Sequence, residues 1–229
     1  SDISTISEKI SSFKIEFLPI IISLVTSSWF VLFARWHLLL KNSKIFIPKK
    51  DSLLIFFSGF AFAVIPGKAG DLIKSQLLKT KFEIPRSRTV PIVMLEQLYT
   101  IIGLVFLSFF GIWYFELGMY VIGFFTALLV FAFIIMSNRK IFNNLVLLLG
   151  KWKFTSKFVE PLSSSYDVIK KSSRGPIAFY ASALTAIFWL IEAVVVYFVL
   201  LSFGVDNIEF LKVIPTYTTS LMLGFLSFL

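Results

Sequence analysis

The sequence has no cysteine and a single histidine, His37. The first absence excludes a disulfide framework, a thiolate metal site and a cysteine nucleophile. The second leaves no histidine pair for a metal and speaks against Ser–His chemistry. Acids are scarce as well, with 13 Asp and Glu against 22 Lys and Arg and a formal charge of +9. No Asp-x-Asp pair occurs, as a metal-dependent transferase would often use. No ATP-binding loop is present: Gly67-Lys68 is followed by Ala69, and the required glycine spacing is missing. No secretory signal opens the chain, since its first sixteen residues are polar and mixed in charge.

What the chain does have is apolar surface. Hydrophobic residues make up 57%, mean hydropathy is +0.87, and there are 28 Phe. A soluble domain of 229 residues has too little interior to hide that surface, whereas lipid covers it. The expected fold is therefore all-α and integral to the membrane: a polytopic helical bundle forming a single transmembrane domain over residues 1–229. The basic residues lie between apolar segments. The positive-inside rule and anionic lipid explain them better than nucleic acid does.

Hydropathy places spans at residues 17–35, 88–113, 119–136 and 176–203. Arg35-Trp36, closing the first, reads as an interfacial anchor. Residues 138–174 carry eight Lys or Arg and read as one or two surface helices lying on anionic headgroups. Residues 213–229 begin another apolar segment that stops at Leu229, so the expectation is a chain continued at its C-terminal end. The expected location is the cell membrane, multi-pass, with the basic loops cytoplasmic.

Residues 51–82 organise the rest. They are apolar as far as Ile65, break at Pro66-Gly67, and return as a basic segment. Residues 51–65 reach only about 22 Å at ~1.5 Å per residue, short of a ~30 Å hydrocarbon core. A full crossing would also put two consecutive basic loops on opposite faces, against the charge rule. A re-entrant helix hairpin over residues 51–82 resolves both points. Ser58-Gly59-Phe60-Ala61-Phe62 is echoed by Leu223-Gly224-Phe225-Leu226-Ser227-Phe228, and the two lie in segments entering from opposite faces. An inverted repeat would have that form.

The hairpin's tip carries candidate chemistry. Pro66, Gly67, Lys68, Gly70 and Asp71 make either a plain turn between helices or a phosphate seat. In the second reading backbone N–H groups and a helix N-terminus face the anion, with Lys68 and Lys74 in reach. Asp71 either complements the helix dipole or pairs with Lys74 at i, i+3. Glu96 lies about 12 Å into its span by helical rise. An acid there costs several kcal/mol unless paired or solvated. It is either neutralised by a proton or a cation in a packed interface, or it lines a polar cavity with Arg86, Arg88 or Lys74 as partner. Gln97 and Thr100 add polar atoms beside it. Glu192 poses the same question more weakly, with nothing basic near it in sequence.

These residues resemble a known family. Arg35-Trp36 with Leu38-Leu39-Leu40, then the run into Pro-Gly-Lys-Ala-Gly-Asp-Leu-Ile-Lys, is similar to the lysylphosphatidylglycerol synthase/flippase transmembrane family. That family includes the flippase half of multiple-peptide-resistance proteins and archaeal membrane proteins of dolichol-phosphate glycosylation. Its pattern is Pro-Gly-x-x-Gly-Glu-x-x-Arg, followed by Glu-Arg-x-x-Asp in a span. Pro66, Gly67, Gly70 and Glu96 match, and Ile84-Pro85-Arg86-Ser87 resembles the linker between the motifs. Asp71 and Lys74 keep the charge of the residues they replace. Gln97 and Thr100 replace the second motif's Arg and Asp and remove its charges.

The resemblance implies movement of a phospholipid or polyprenyl-phosphate-linked substrate across the membrane, without a cofactor. Taken with the reading of the residues themselves, the candidate site comprises Pro66, Gly67, Lys68, Gly70, Asp71, Lys74, Arg86, Arg88, Glu96, Gln97 and Thr100, with no catalytic or metal residue assigned. Anionic membrane lipids are expected partners, nucleic acid is not, and a second copy or a separate synthase stays open. Two other functions stay open too: a membrane-embedded transferase acting on a lipid phosphate, and a scaffold for a synthase domain.

Overall fold

The computed structural model describes residues 13–61, 71–111, 116–151, 159–173 and 175–227. Every regular element among them is a helix. A 3-10 turn, Ile15–Phe17, leads into α1 (Leu18–Asn42). Then come α2 (Lys49–Ala61), α3 (Leu72–Phe82) and α4 (Arg86–Ser108). The second half holds α5 (Glu116–Ser137), α6 (Arg139–Gly150), α7 (Val159–Ser172), α8 (Gly175–Ser202) and α9 (Phe210–Ser227). This is an all-α membrane bundle, as a medium that cannot satisfy backbone polar groups requires. Three helical stretches are long and apolar enough to cross a bilayer: Ile15–Asn42, Arg86–Ser108 and Gly175–Ser202. Met119–Ile135 with Arg139–Leu148 qualifies as a pair bent by 106°. The bend is stabilised by Asn138, whose Oδ1 accepts the Lys140 N–H at 2.9 Å as an N-cap.

The helix α4 is central. Its apolar window is 56% buried, against 6% for the first span and 22% for α8. Towards its start, Ile92, Leu95 and Tyr99 pack with Trp36, Leu39 and Leu40 of α1, Ile55 and Phe56 of α2, and Leu78 of α3. Towards its end, Leu104 and Leu107 pack with Phe125 of α5, Trp189 and Ala193 of α8, and Ile214 and Met222 of α9. The phenylalanines left over face outward. Phe106, Phe131, Phe133 and Phe179 are exposed, as lipid contact allows.

The first helix does not end at Arg35. Helix α1 runs seven residues further, to Asn42. It closes in a Schellman motif: Lys44 is left-handed, its N–H donates to the Lys41 carbonyl, and the Ile45 N–H donates to the Leu40 carbonyl, both at 3.0 Å. The hydropathy signal stopped early because Arg35 is charged. Its burial inside the bundle lets the helix continue past it.

Helices α2 and α3 lie antiparallel. Asp51, at the start of α2, pairs with Lys81 at the end of α3. Gly59, near the end of α2, lies against Asp71 and Lys74 at the start of α3. Residues 62–70 between them lie outside the described residues, so Pro66, Gly67, Lys68 and Gly70 do too. The loops at the basic ends meet: Arg88 donates to the Ser43 and Lys44 carbonyls at 3.3 and 3.4 Å, and Asn42 Nδ2 donates to Ser172 Oγ at 2.8 Å. At the opposite end the Lys14 N–H donates to the Ser202 carbonyl at 2.9 Å.

Two helices form in the basic stretch after α5. Phe142 and Val146 of α6 bury against Tyr166 of α7. Arg139 and Lys170 lie 5.5 and 5.4 Å from the Tyr166 ring, both in cation–π range. Leu147 and Leu148 face outward.

Candidate functional site

Five helices converge on one cavity of about 240 Å³, lined by Arg35 of α1, Gly59 of α2, Asp71 and Lys74 of α3, Glu96 and Thr100 of α4, and Trp189 of α8, among others. Helical spacing selects the α4 residues. Glu96 and Thr100 are one turn apart, and Gly103 continues the same face. Asp71, the N-cap of α3, and Lys74 on its first turn stand at i, i+3.

Lys74 is buried and fully paired. Its Nζ lies 2.6 Å from Glu96 Oε2 and 3.2 Å from Asp71 Oδ1. It also faces the rings of Trp36 and Phe56 at 5.1 and 5.6 Å. Asp71 makes no capping bond with its side chain. Its carboxylate turns inward instead, to Lys74 and to Gln97 Nε2, which donates to Oδ2 at 2.5 Å. The Asp71 side chain keeps 25% of its surface exposed, so the polar site reaches the exterior on that side. Gly59 lets the two helices close up: a Cβ there would come within 3.3 Å of Asp71 Oδ1 and Lys74 Cδ.

Arg35 is the other buried cation, at 4% exposure, and its partners are neutral. Nη1 donates to Thr185 Oγ1 at 2.8 Å, and both terminal nitrogens reach Thr100 Oγ1 at 3.3 Å. Each hydroxyl can accept because its own proton goes to a helix carbonyl, Thr100 to Glu96 and Thr185 to Ala181, both at 2.8 Å. Arg35 Nε has no hydrogen-bond partner, and no carboxylate among the described residues forms an ion pair with Arg35. Trp189 closes the wall by donating Nε1 to the Thr100 carbonyl at 3.2 Å. The cavity thus holds two cations and two carboxylates. One cation is paired with both carboxylates and the other with neither.

The structure brings Asp71, Lys74, Glu96, Gln97 and Thr100 together. It takes Arg86 and Arg88 elsewhere. Both are exposed, Arg86 donating to Gln76 Oε1 and Arg88 to the loop after α1. The partner of Glu96 is Lys74. The residue that sequence reasoning missed is Arg35, taken there for an anchor. Its partners lie 65 and 150 residues away, so no local pattern marks it. The available signal was Thr185, a hydroxyl within an apolar helix. Among the described residues no three His, Cys, Asp or Glu side chains gather as a metal would need.

Neither a curated protein nor a solved structure matches this chain. One family model does match, over residues 1–229, and its description is lysylphosphatidylglycerol synthase TM region. With the full sequence covered, the chain belongs to the lysylphosphatidylglycerol synthase transmembrane family.

Proposed function

We propose that the protein moves a phospholipid or lipid-linked phosphate between leaflets, passing the headgroup through the Arg35 cavity while the tails stay in lipid. The family supports a membrane-embedded role in lipid modification or translocation. The observation that carries the finer reading is the unsaturated buried arginine. A guanidinium taken out of water costs several kcal/mol unless its donors are met. Arg35 has a buried Nε without a partner, and its side chain lines the cavity. A phosphate supplies the acceptors and the negative charge, and guanidinium forks suit it best. Phe56, Phe60 and Phe188 line the rest and favour the apolar part of a lipid.

The basic ends of α1, α3 and α4 would face the cytoplasm, with α6 and α7 on anionic headgroups. Residues 51–82 would enter and leave on that side, and the headgroup would pass by rocking of the bundle around the site. The transferase reading needs a carboxylate free to act as a base. Both cavity carboxylates are engaged by Lys74, which favours translocation.

The test is lipid movement in liposomes carrying the full-length protein. Fluorescent phosphatidylglycerol and a short-chain polyprenyl phosphate are compared with a neutral diacylglycerol analogue. Protein-dependent movement of the phosphate lipids, lost in Arg35→Gln with folding intact, is the expected result. Equal movement in Arg35→Gln, or none for any lipid with folded protein, overturns the reading.

A further inference from the structure

Helices α1 and α8 run antiparallel, with polar contacts two turns apart. Arg35 meets Thr185, and seven residues away on each helix Ser28 meets Glu192. The second contact lies about 10 Å along the seam from the first, and about 15 Å from the Ser202 end of α8, by helical rise. It lies outside the Arg35 cavity, and the translocation reading leaves it unused.

The contact has a proton too few. Ser28 Oγ lies 2.6 Å from Glu192 Oε1 and 2.8 Å from the Val25 carbonyl oxygen. A hydroxyl has one proton for these two acceptors. With Glu192 ionised, the single Ser28 proton is either shared between the two oxygens or leaves one contact without a hydrogen. With Glu192 carrying a proton, its O–H donates to Ser28, and Ser28 donates to Val25. Other hydroxyls of α1 already use their proton on the helix carbonyl: Ser23, Thr26 and Ser27 donate to residues four back at 2.7 Å.

Among the described residues no cation pairs with Glu192. On α1 the next ionisable group inside the bundle is Arg35, two turns away. On α4 it is Glu96, at the level of Arg35. Helix α9 brings the Tyr217 phenol into electrostatic range. Nearer its start it carries Lys212, which bonds Glu209 at 2.9 Å. The 3-10 turn places Lys14 and Glu16 towards the Ser202 end. Helix α7 packs at the other end of α8, with Asp167, Lys170 and Lys171.

We propose that Glu192 is a proton-binding site inside the membrane, and that the proton it takes and releases drives the cavity. The proton adds to the carboxylate and leaves from the carboxylic acid, with Ser28 as the relay and no other reactant. Glu192 is half-buried and so not sealed inside the bundle. Trp189 connects it to the cavity. It stands one turn from Glu192 on α8, lines the cavity, and holds the α4 backbone at Thr100. The proton site stands on the Ser28 geometry alone. Its coupling to lipid movement rests on the function proposed above.

The experiment uses the full-length protein in two arms. Infrared spectra in lipid nanodiscs, from neutral to alkaline pH, read the C=O band of protonated carboxyls. The expected band shifts in Ser28→Ala and is absent in Glu192→Gln. Identical spectra for wild type and Glu192→Gln at every pH overturn the site. In liposomes with an imposed pH gradient, one unit biases a one-proton step by up to about tenfold. Wild type is expected to respond in that direction, and Glu192→Gln to move lipid with no response to the gradient. Equal responses in both overturn the coupling. If no lipid moves in either while the band persists, translocation fails and the proton site stands.

Discussion

Gly103 is the position where one methyl group tests the whole arrangement. A Cβ there would lie 2.6 Å from Thr185 Cγ2 and 3.0 Å from Trp189 Cδ1. Ordinary carbon contacts sit at about 3.5–4.0 Å, so Gly103→Ala forces α4 and α8 apart by roughly 1 Å. Thr185 cannot turn aside cheaply, because its hydroxyl is held by the Ala181 carbonyl and by Arg35. Overpacking of this kind costs about 1–3 kcal/mol, against which the helix propensity gained by alanine offsets up to about 1. The cost has a named atom. Thr185→Ser deletes Cγ2 and keeps the hydroxyl, leaving contacts of 3.0 and 3.3 Å. The double variant Gly103→Ala with Thr185→Ser is therefore expected to recover most of the lost stability. Gly123→Ala, where a Cβ meets nothing within 4 Å, is the control and loses none. Thermal unfolding in one fixed detergent reads all four proteins, with lipid movement as a second readout. A Gly103→Ala protein as stable as wild type, or a double variant no better than the single, refutes the close α4–α8 packing at Arg35.

Lys74→Met leaves Glu96 buried without its cation. It is expected to cost about 3–5 kcal/mol, most of it returned when Glu96→Leu is added, as thermal unfolding of the three variants checks. The natural absence of cysteine makes topology testable directly. Lys49→Cys and Lys79→Cys, both exposed at the paired ends of α2 and α3, are expected to react with an impermeant thiol reagent from the same side of sealed vesicles. Labelling from opposite sides refutes the re-entrant hairpin.

The membrane class was legible because hydropathy is a property of segments, and lipid leaves helices as the main way to satisfy it. Glu96 was legible for a related reason: an acid in an apolar run has to be accounted for. Its partner was legible only as a choice among three cations. Arg86 and Arg88 are nearer in sequence, but the left-handed turn at Glu83 folds α3 back on α4 and delivers Lys74 instead. Arg35 was misread because charge near the end of an apolar run normally marks the interface. What keeps it inside is a pair of hydroxyls on two other helices, and pairings at that distance leave no periodic trace. The Glu192–Ser28 contact was hidden for the same reason: one partner is an acid without a nearby base, and the other is one serine among several in α1.

The charge arrangement at the cavity bears on how an anion could enter it. Two cations and two carboxylates sum to zero, so the empty cavity carries no net charge to be compensated. The pairing is nevertheless lopsided. Taking Lys74 from Glu96 would break a buried ion pair, a loss of roughly 3–5 kcal/mol. Taking Arg35 from its hydroxyls gives up hydrogen bonds to neutral acceptors, at most about 1.5–3 kcal/mol each, and a phosphate replaces them with stronger ones. In the proposed function an arriving phosphate would therefore meet Arg35 and leave the Lys74 cluster intact. In that function Lys74, Asp71 and Glu96 would then be the frame that fixes α3 against α4, and Arg35 the group that meets the headgroup. On this account Arg35→Gln removes the anion's partner at little structural cost, whereas Lys74→Met damages the frame first and transport only as a consequence.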